Sequence, residues 1–179
     1  MKALSYLVET TLTIILCVFL LRAILQIIRA NFRNPITQTI TRFTNPVIMP
    51  LRKILPPIGK IDSASVLSVL IIACVITMIN LLFHGQSLSV IAQYPLDFFV
   101  ATIRKIVLIL LQLYWFLIFF GILLSWMQPH QHSPLSSILD ELTEPLLRPA
   151  RRLIKPIGGM DLSPIPVLII LTALQYQLT

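Results

Sequence analysis

"TNPVIMPLRKILPPIGKID", residues Thr44 to Asp62, decides the fold because it occurs twice; the second copy is "TEPLLRPARRLIKPIGGMD", Thr143 to Asp161, displaced by 99 positions. Under that shift Thr44 falls on Thr143, Pro46 on Pro145, Pro50 on Pro149 and Arg52 on Arg151. Pro57, Ile58, Gly59 and Asp62 fall on Pro156, Ile157, Gly158 and Asp161, with Pro35 on Pro134 upstream. Self-similarity at a fixed displacement marks a duplication. The chain divides into a first repeat, residues 1–90, and a second, residues 91–179. Each copy is too apolar for an ordinary loop and too rich in proline and charge to cross a bilayer.

Outside these copies the chain is greasier still. With 56% hydrophobic and 12% charged residues it lies beyond the range of soluble globular proteins. Four apolar runs approach the roughly 20 residues that cross a hydrocarbon core: Leu7 to Ile28, Ala64 to Phe83, Ile106 to Trp126 and Leu162 to Thr179. The fourth is marginal, with Pro164 and Pro166 at its start. The runs are continuously apolar, which predicts helices and not a barrel. Lys2 ahead of Leu12 to Leu21 imitates a secretion signal, but Arg22, Gln26 and Arg29 follow where a small-residue cleavage site would stand. The expected class is an all-α integral membrane protein. Two spans per repeat make the halves parallel about an axis along the membrane normal.

The first connection holds Arg29, Arg33, Arg42, Arg52, Lys53 and Lys60, and the third holds Arg148, Arg151, Arg152 and Lys155. The second holds only Arg104 and Lys105. This asymmetry predicts cytoplasmic first and third connections and outward-facing termini. The surplus of 14 Lys and Arg over 7 Asp and Glu points to anionic phospholipid as neighbour, not nucleic acid.

Within the amphipathic segments, 34–62 and 133–161, the spacing predicts a hairpin of two short helices. The first opens at Asn34-Pro35 or Ser133-Pro134, an N-cap followed by proline at the first helical position. It carries a stripe of Ile36, Ile40 and Phe43, or of Leu135, Ile138, Leu139 and Leu142. The second opens at Pro46 or Pro145, with Val47, Leu51, Ile54 and Leu55 opposite Arg52 and Lys53. In its counterpart Leu146, Leu147, Ala150, Leu153 and Ile154 oppose Arg148, Arg151, Arg152 and Lys155. Such helices lie in the interface with cations on headgroups, pack on the ends of the spans, or do both. Pro50 and Pro149 are expected to kink them.

"LLSWMQ" followed by "TEPLLRPARRLIKPIGGMDLSP" resembles the signature of the YggT family of bacterial inner-membrane proteins, called YlmG in other bacteria and in chloroplasts. Tandem two-span repeats carrying T-x-P, P-x-R and G-x-x-D cover nearly the whole chain, and the second half is the closer copy. The resemblance implies links to envelope organisation, to osmotic and cation tolerance, and in plastids to maturation of a cytochrome. It implies no cofactor for this chain. Arg22 maps onto Gly121, where the family often has arginine, so a role needing a symmetric arginine pair does not carry over.

Asp62 and Asp161, beside Ser63 and Ser163, stand directly before spans two and four. They either cap those helices or face each other and hold a cation; capping is the preferred reading. Arg52 and Arg151 grip lipid phosphate or the acid of their own repeat, with phosphate preferred. Gly59, Gly158, Pro46 and Pro145 shape the motif. Arg22, near the end of its span, is expected to snorkel to the interface; the alternative pairs it with Glu9 along a pathway. Cys17 and Cys74, inside apolar runs, read as packing residues. His130 and His132 in "QPHQHSP" lack converging ligands and read as a turn, not a metal site. Phosphate loops, nucleophile elbows and H-E-x-x-H motifs do not occur, and no enzyme is predicted. Two function classes remain. One is a non-catalytic assembly or organising factor of the envelope that presents its basic hairpins to anionic phospholipid and other membrane proteins. The other is a channel or transport component in cation and osmotic homeostasis, with Asp62, Asp161 and Arg22 along the path. Homo-oligomerisation stays open.

Overall fold

The computed structural model describes residues 2–57, 62–86, 88–127, 133–154 and 161–179. In chain order the elements are α1 (Lys2–Ile27), α2 (Pro35–Ile54), α3 (Ser63–Phe83), α4 (Ser89–Gln93), α5 (Pro95–Met127), α6 (Pro134–Leu153) and α7 (Pro164–Leu178). All regular structure among the described residues is helical. Helices α1, α3 and α5 are long and apolar enough to cross a membrane, and only 33%, 22% and 17% of their most apolar windows is buried inside the protein. The apolar surface left uncovered needs hydrocarbon around it, so this is a membrane protein. Helix α7 has 15 residues and rises about 22 Å at 1.5 Å per residue, less than the roughly 30 Å of a hydrocarbon core. Helix α5 begins well before the expected Ile106, at Pro95 with Asp97 in its first turn, a pairing that suits a helix N-terminus.

The expected hairpins are absent as hairpins. Each is one uninterrupted 20-residue helix, α2 or α6, with both of its later prolines inside. Their starts match the sequence reading: the Asn34 side chain accepts from the Ile36 amide at 2.9 Å, and Ser133 forms a reciprocal capping box with Ser136. The continuity has a physical reason. Pro46 and Pro50 are four residues apart, so the carbonyl that Pro50 leaves without its usual donor belongs to Pro46; both defects fall in a single column of helix hydrogen bonds. That column faces outward, since Pro46, Pro50, Pro145 and Pro149 are all exposed. On the inner side Thr44 donates to the Ile40 carbonyl at 2.7 Å, and Thr143 to that of Leu139 at 2.8 Å.

The predicted stripes divide. In α2, Thr37, Thr44 and Ile48 are buried and Ile36, Ile40 and Leu51 pack beside the core, whereas Phe43, Val47 and Ile54 are exposed. In α6, Ile138, Leu139, Leu142, Thr143 and Leu147 are buried, and Leu146 and Ala150 pack beside them. Both helices therefore pack on the bundle, and α2 keeps a second, outward apolar surface.

Neighbouring long helices pack in the order α1, α3, α5, α7; α2 rests on α1 and α3, α6 rests on α5 and α7, and α2 touches α6. The larger core runs from Leu16, Leu20 and Ile24 of α1 through Ala73 and Ile76 of α3 to Ile109 and Leu113 of α5. A smaller one joins Ile118, Leu147, Val167 and Leu171. Polar bonds tie the repeats at both ends. Near α2, the Asn31 amide donates to Glu141 at 2.9 Å and the Asn34 side chain to the Pro134 carbonyl at 2.7 Å. At the other end Glu9 accepts from Asn80 at 2.9 Å and from Lys105 at 2.7 Å. Helix α1 closes with Arg29 in the left-handed region, φ 55°, and the Ala30 amide returns to the Leu25 carbonyl at 2.9 Å, a C-terminal cap usually built on glycine.

Candidate functional site

Three elements of the first repeat converge on one polar junction. Arg22 and Gln26 of α1 are one turn apart and share a face. Helix α2 brings Thr41, Thr44, Asn45 and Arg52, and the start of α3 brings Asp62 and Ser65. Nη1 of Arg22 donates to the Thr41 carbonyl at 2.9 Å, to Asn45 Oδ1 at 2.8 Å and to the Thr44 hydroxyl. The residue is only 6% exposed. The snorkelling expectation is thus corrected: α2 packs over the end of α1 and offers polar acceptors at that depth, so the guanidinium pins α2 to α1. Nor does Arg22 meet Glu9, which pairs with Lys105.

Arg52 holds Asp62 with two nitrogens, Nη2 at 2.8 Å and Nε at 3.2 Å. The Asp62 side chain is 1% exposed and that of Arg52 38%. Ser65 donates to the same carboxylate at 2.6 Å. With its amide oriented so that donors meet acceptors, Gln26 bridges the pair, its nitrogen 3.0 Å from Asp62 and its oxygen 2.9 Å from Arg52. Asp62 occupies the N-cap position of α3 but makes no side-chain capping bond, which corrects the capping reading there: a guanidinium competes better for a buried carboxylate than a backbone amide does. Burial pushes the Asp62 carboxyl up, yet the bonds from Arg52 and Ser65 and the nearby positive charges outweigh it and hold the group below the usual carboxylate range.

The second repeat reuses the motif in the open. Arg151 donates through Nε to Asp161 at 2.8 Å and through Nη1 to Glu144 at 2.6 Å. The side chains of Arg151, Asp161 and Glu144 are 41%, 37% and 48% exposed. Asp161 Oδ1 also accepts from the Ser163 amide at 2.9 Å, but Ser163 is itself the N-cap of α7 and that helix has no side-chain cap, so the capping reading is corrected in this repeat as well. Burial raises the Asp161 carboxyl, and the Ser163 and Arg151 contacts more than reverse it, leaving it low.

The two aspartates are therefore not free to share a cation; each is committed to the arginine of its own repeat, the less favoured of the two partners expected for Arg52 and Arg151. Lys53, Arg148 and Arg152 are exposed on α2 and α6. Lys155, Gly59, Gly158, His130 and His132 lie outside the described residues. Among the described residues no group of three or more His, Cys, Asp or Glu could hold a metal ion. Sequence reading missed Gln26, Asn45, Ser65 and Glu144. The spacing of Arg22 and Gln26 was a signal for the first of these, since i and i+4 polar residues in an apolar helix share a face. Ser65, three residues after Asp62, and Glu144, two turns before Arg151 on one helix, also stand at spacings that bring side chains together; Asn45 has no such signal, since Arg22 lies 23 residues away.

A cavity of about 310 Å³ lies between α1 and α2, lined by Arg22, Gln26, Phe32, Asn45, Met49 and Arg52 among others. A second, about 580 Å³, lies where the end of α1 meets α6, with Arg29, Glu141, Glu144 and Arg148 in its walls.

These features define a helical membrane protein built as a tandem repeat, each half carrying a basic amphipathic helix closed by an arginine–aspartate pair. The chain belongs to the CCB3/YggT family, whose model matches residues 1–86 and 100–179, two segments whose starts are 99 positions apart like the repeat itself. It is 35% identical over 176 residues to "Uncharacterized protein in proC 3'region" of Vibrio alginolyticus, covering 98% of this chain and 91% of the relative. It is 34% identical over 160 residues to "Uncharacterized protein PA0392" of Pseudomonas aeruginosa, covering 89% and 80%. "Uncharacterized protein YggT" of Escherichia coli K12 is 33% identical over 171 residues, covering 96% and 86%. No solved structure matches the chain.

Proposed function

We propose that this protein is a non-catalytic organising factor of the bacterial inner membrane. It crosses four times, with α7 as the fourth span, and presents α2 and α6 at the cytoplasmic surface to anionic lipid and partner membrane proteins. The observation that carries this reading is the pair of clamps, Arg52 to Asp62 and Arg151 to Asp161, at the same ten-residue separation in both repeats. Each clamp ties an amphipathic helix to the start of the following apolar helix. With the inner face so committed, Arg42, Lys53, Arg148 and Arg152 stay exposed, and on α2 they stand beside exposed Phe43, Val47, Met49 and Ile54. Cations and apolar side chains together on one outward surface suit an anionic leaflet, where each Lys or Arg is worth about 1 kcal/mol. The transport alternative needs Asp62 and Asp161 open to a cation, and each is held by a guanidinium.

The test changes Arg42, Lys53, Arg148 and Arg152 together to Gln and compares crosslinked partners in native membranes with those of the wild type. Alongside it, purified protein in liposomes is assayed for ion flux. Loss of partners in the variant and no flux in the wild type support the organising role. Flux abolished by Asp62→Asn with Asp161→Asn would replace it with the transport reading.

A further inference from the structure

Arg22 is an almost fully buried cation whose direct acceptors are all neutral: a backbone carbonyl, a hydroxyl and an amide oxygen. The ion pairs among the described residues join Arg52 to Asp62, Lys105 to Glu9, and Arg151 to Glu144 and Asp161, and leave Arg22 out. A guanidinium carries five N–H donors in a planar fork, and the three bonds of Arg22 all run through Nη1. Nε and Nη2 are the donors it can offer to the cavity it lines. Arg52 lines the same cavity with only Nε and Nη2 engaged by Asp62, so its Nη1 is a further donor. Asp62 is the one carboxylate of this junction, and two arginines against one aspartate leave the junction with one net positive charge. At about 310 Å³ the cavity sits at the small end of ligand sites, which run roughly 300–1,000 Å³. Its wall also carries Phe32 and Met49, exposed by 52% and 59%, apolar groups where acyl chains would emerge.

We infer that the cavity between α1 and α2 is a phosphate-binding site in which Arg22 and Arg52 grip a phosphate oxyanion and Asn45 and Gln26 frame it. Because the junction is itself net positive, the chemistry required is a phosphate on a group of net negative charge, an anionic lipid headgroup or the free ion, and not one neutralised by its own ammonium. Planar guanidinium forks suit such oxyanions. The inference rests on the lipid-facing orientation proposed above for α2, and narrows it to one place.

The full chain, purified and delipidated in detergent, is titrated with phosphatidylglycerol and with phosphatidylcholine of the same acyl chains, and bound lipid is counted by native mass spectrometry. Phosphatidylglycerol should be retained about tenfold better, and Arg22→Gln should lower that retention about tenfold, as expected for losing a charged hydrogen-bonding partner. Met49→Glu, an exposed change that sets a carboxylate at the cavity, should act likewise while Met49→Gln does not; this pair decides the matter if Arg22→Gln fails to fold. Displacement of phosphatidylglycerol by millimolar inorganic phosphate assigns the site to the free anion, and retention assigns it to the lipid; either supports a phosphate site. Wild-type retention in folded Arg22→Gln and Met49→Glu overturns it. If retention then falls only in the variant lacking Arg42, Lys53, Arg148 and Arg152, the surface reading stands and this site alone is withdrawn; if that variant also retains the lipid, both fall.

Discussion

The two repeats place the same arginine ten residues before the same aspartate, yet one pair is sealed in and the other stands at the surface. In the first, Asp62 is 1% exposed, Arg22 reaches over from α1, and the junction carries one net positive charge. In the second, Gly121 stands where Arg22 would be and Glu144 where Asn45 would be. Arg151 is divided between Glu144 and Asp161, and the junction carries one net negative charge. The lesson is that the motif does not set its own burial. What differs is the preceding long helix, which brings Arg22 to the first junction and has Gly121 at the matching position of the second.

The largest expected contrast comes from removing the motif arginine. Arg52→Ala strands a buried carboxylate and should cost about 3 kcal/mol, toward the low end for breaking buried pairs because Arg52 is partly exposed. Arg151→Ala breaks an exposed pair and should cost about 0–1 kcal/mol. Unfolding of the two variants in detergent, by denaturant or heat, reads the difference, and equal losses would break the comparison.

Thr44→Val against Thr143→Val sharpens it. Thr44 accepts from buried Arg22, so its loss should cost about 1–3 kcal/mol, whereas Thr143 only donates to its own helix and should cost less than about 1 kcal/mol. Melting curves measured side by side decide whether Arg22 is what seals the first junction.

Acid probes the same asymmetry more gently. Both aspartates are held below the usual range. Their charge therefore contributes full stability above the unfolded-state value of about 3.9 and loses it as pH falls through the lower folded-state value. Asp62→Asn should flatten the loss of stability below about pH 4 more than Asp161→Asn does. A larger flattening from Asp161→Asn would reverse the assignment of the buried pair.

The smallest effect is expected from Gly121→Arg. A Cβ at Gly121 meets nothing within 4 Å, and Glu144 stands at the position that faces Arg22 in the other repeat. Stability should change by less than about 1 kcal/mol, while hydrogen exchange of α6 should slow if the new cation draws the helix inward. Unchanged exchange would show that burial of the first junction depends on more than Arg22.

Much of this was legible in the chain. The 99-position shift carries α2, Pro35–Ile54, onto α6, Pro134–Leu153, residue for residue, and the caps at Asn34 and Ser133 mark both starts. Proline led the reading astray: Pro46 and Pro145 look like helix starts, but at a spacing of four from Pro50 and Pro149 they interrupt a single outward column of bonds. Arg22 was legible as an oddity and its partners were not, because Thr41, Thr44 and Asn45 lie 19 to 23 residues away on another helix.

By itself the sequence determined the class, the duplication and the outward charge, since hydropathy, period and composition are local properties that no packing reverses. Only the tertiary structure decided that the motif arginine answers its own aspartate and that one copy is buried and the other open. Those outcomes depend on which side chain of a neighbouring helix arrives at the same point in space, and a desolvated charge is governed by its nearest partner.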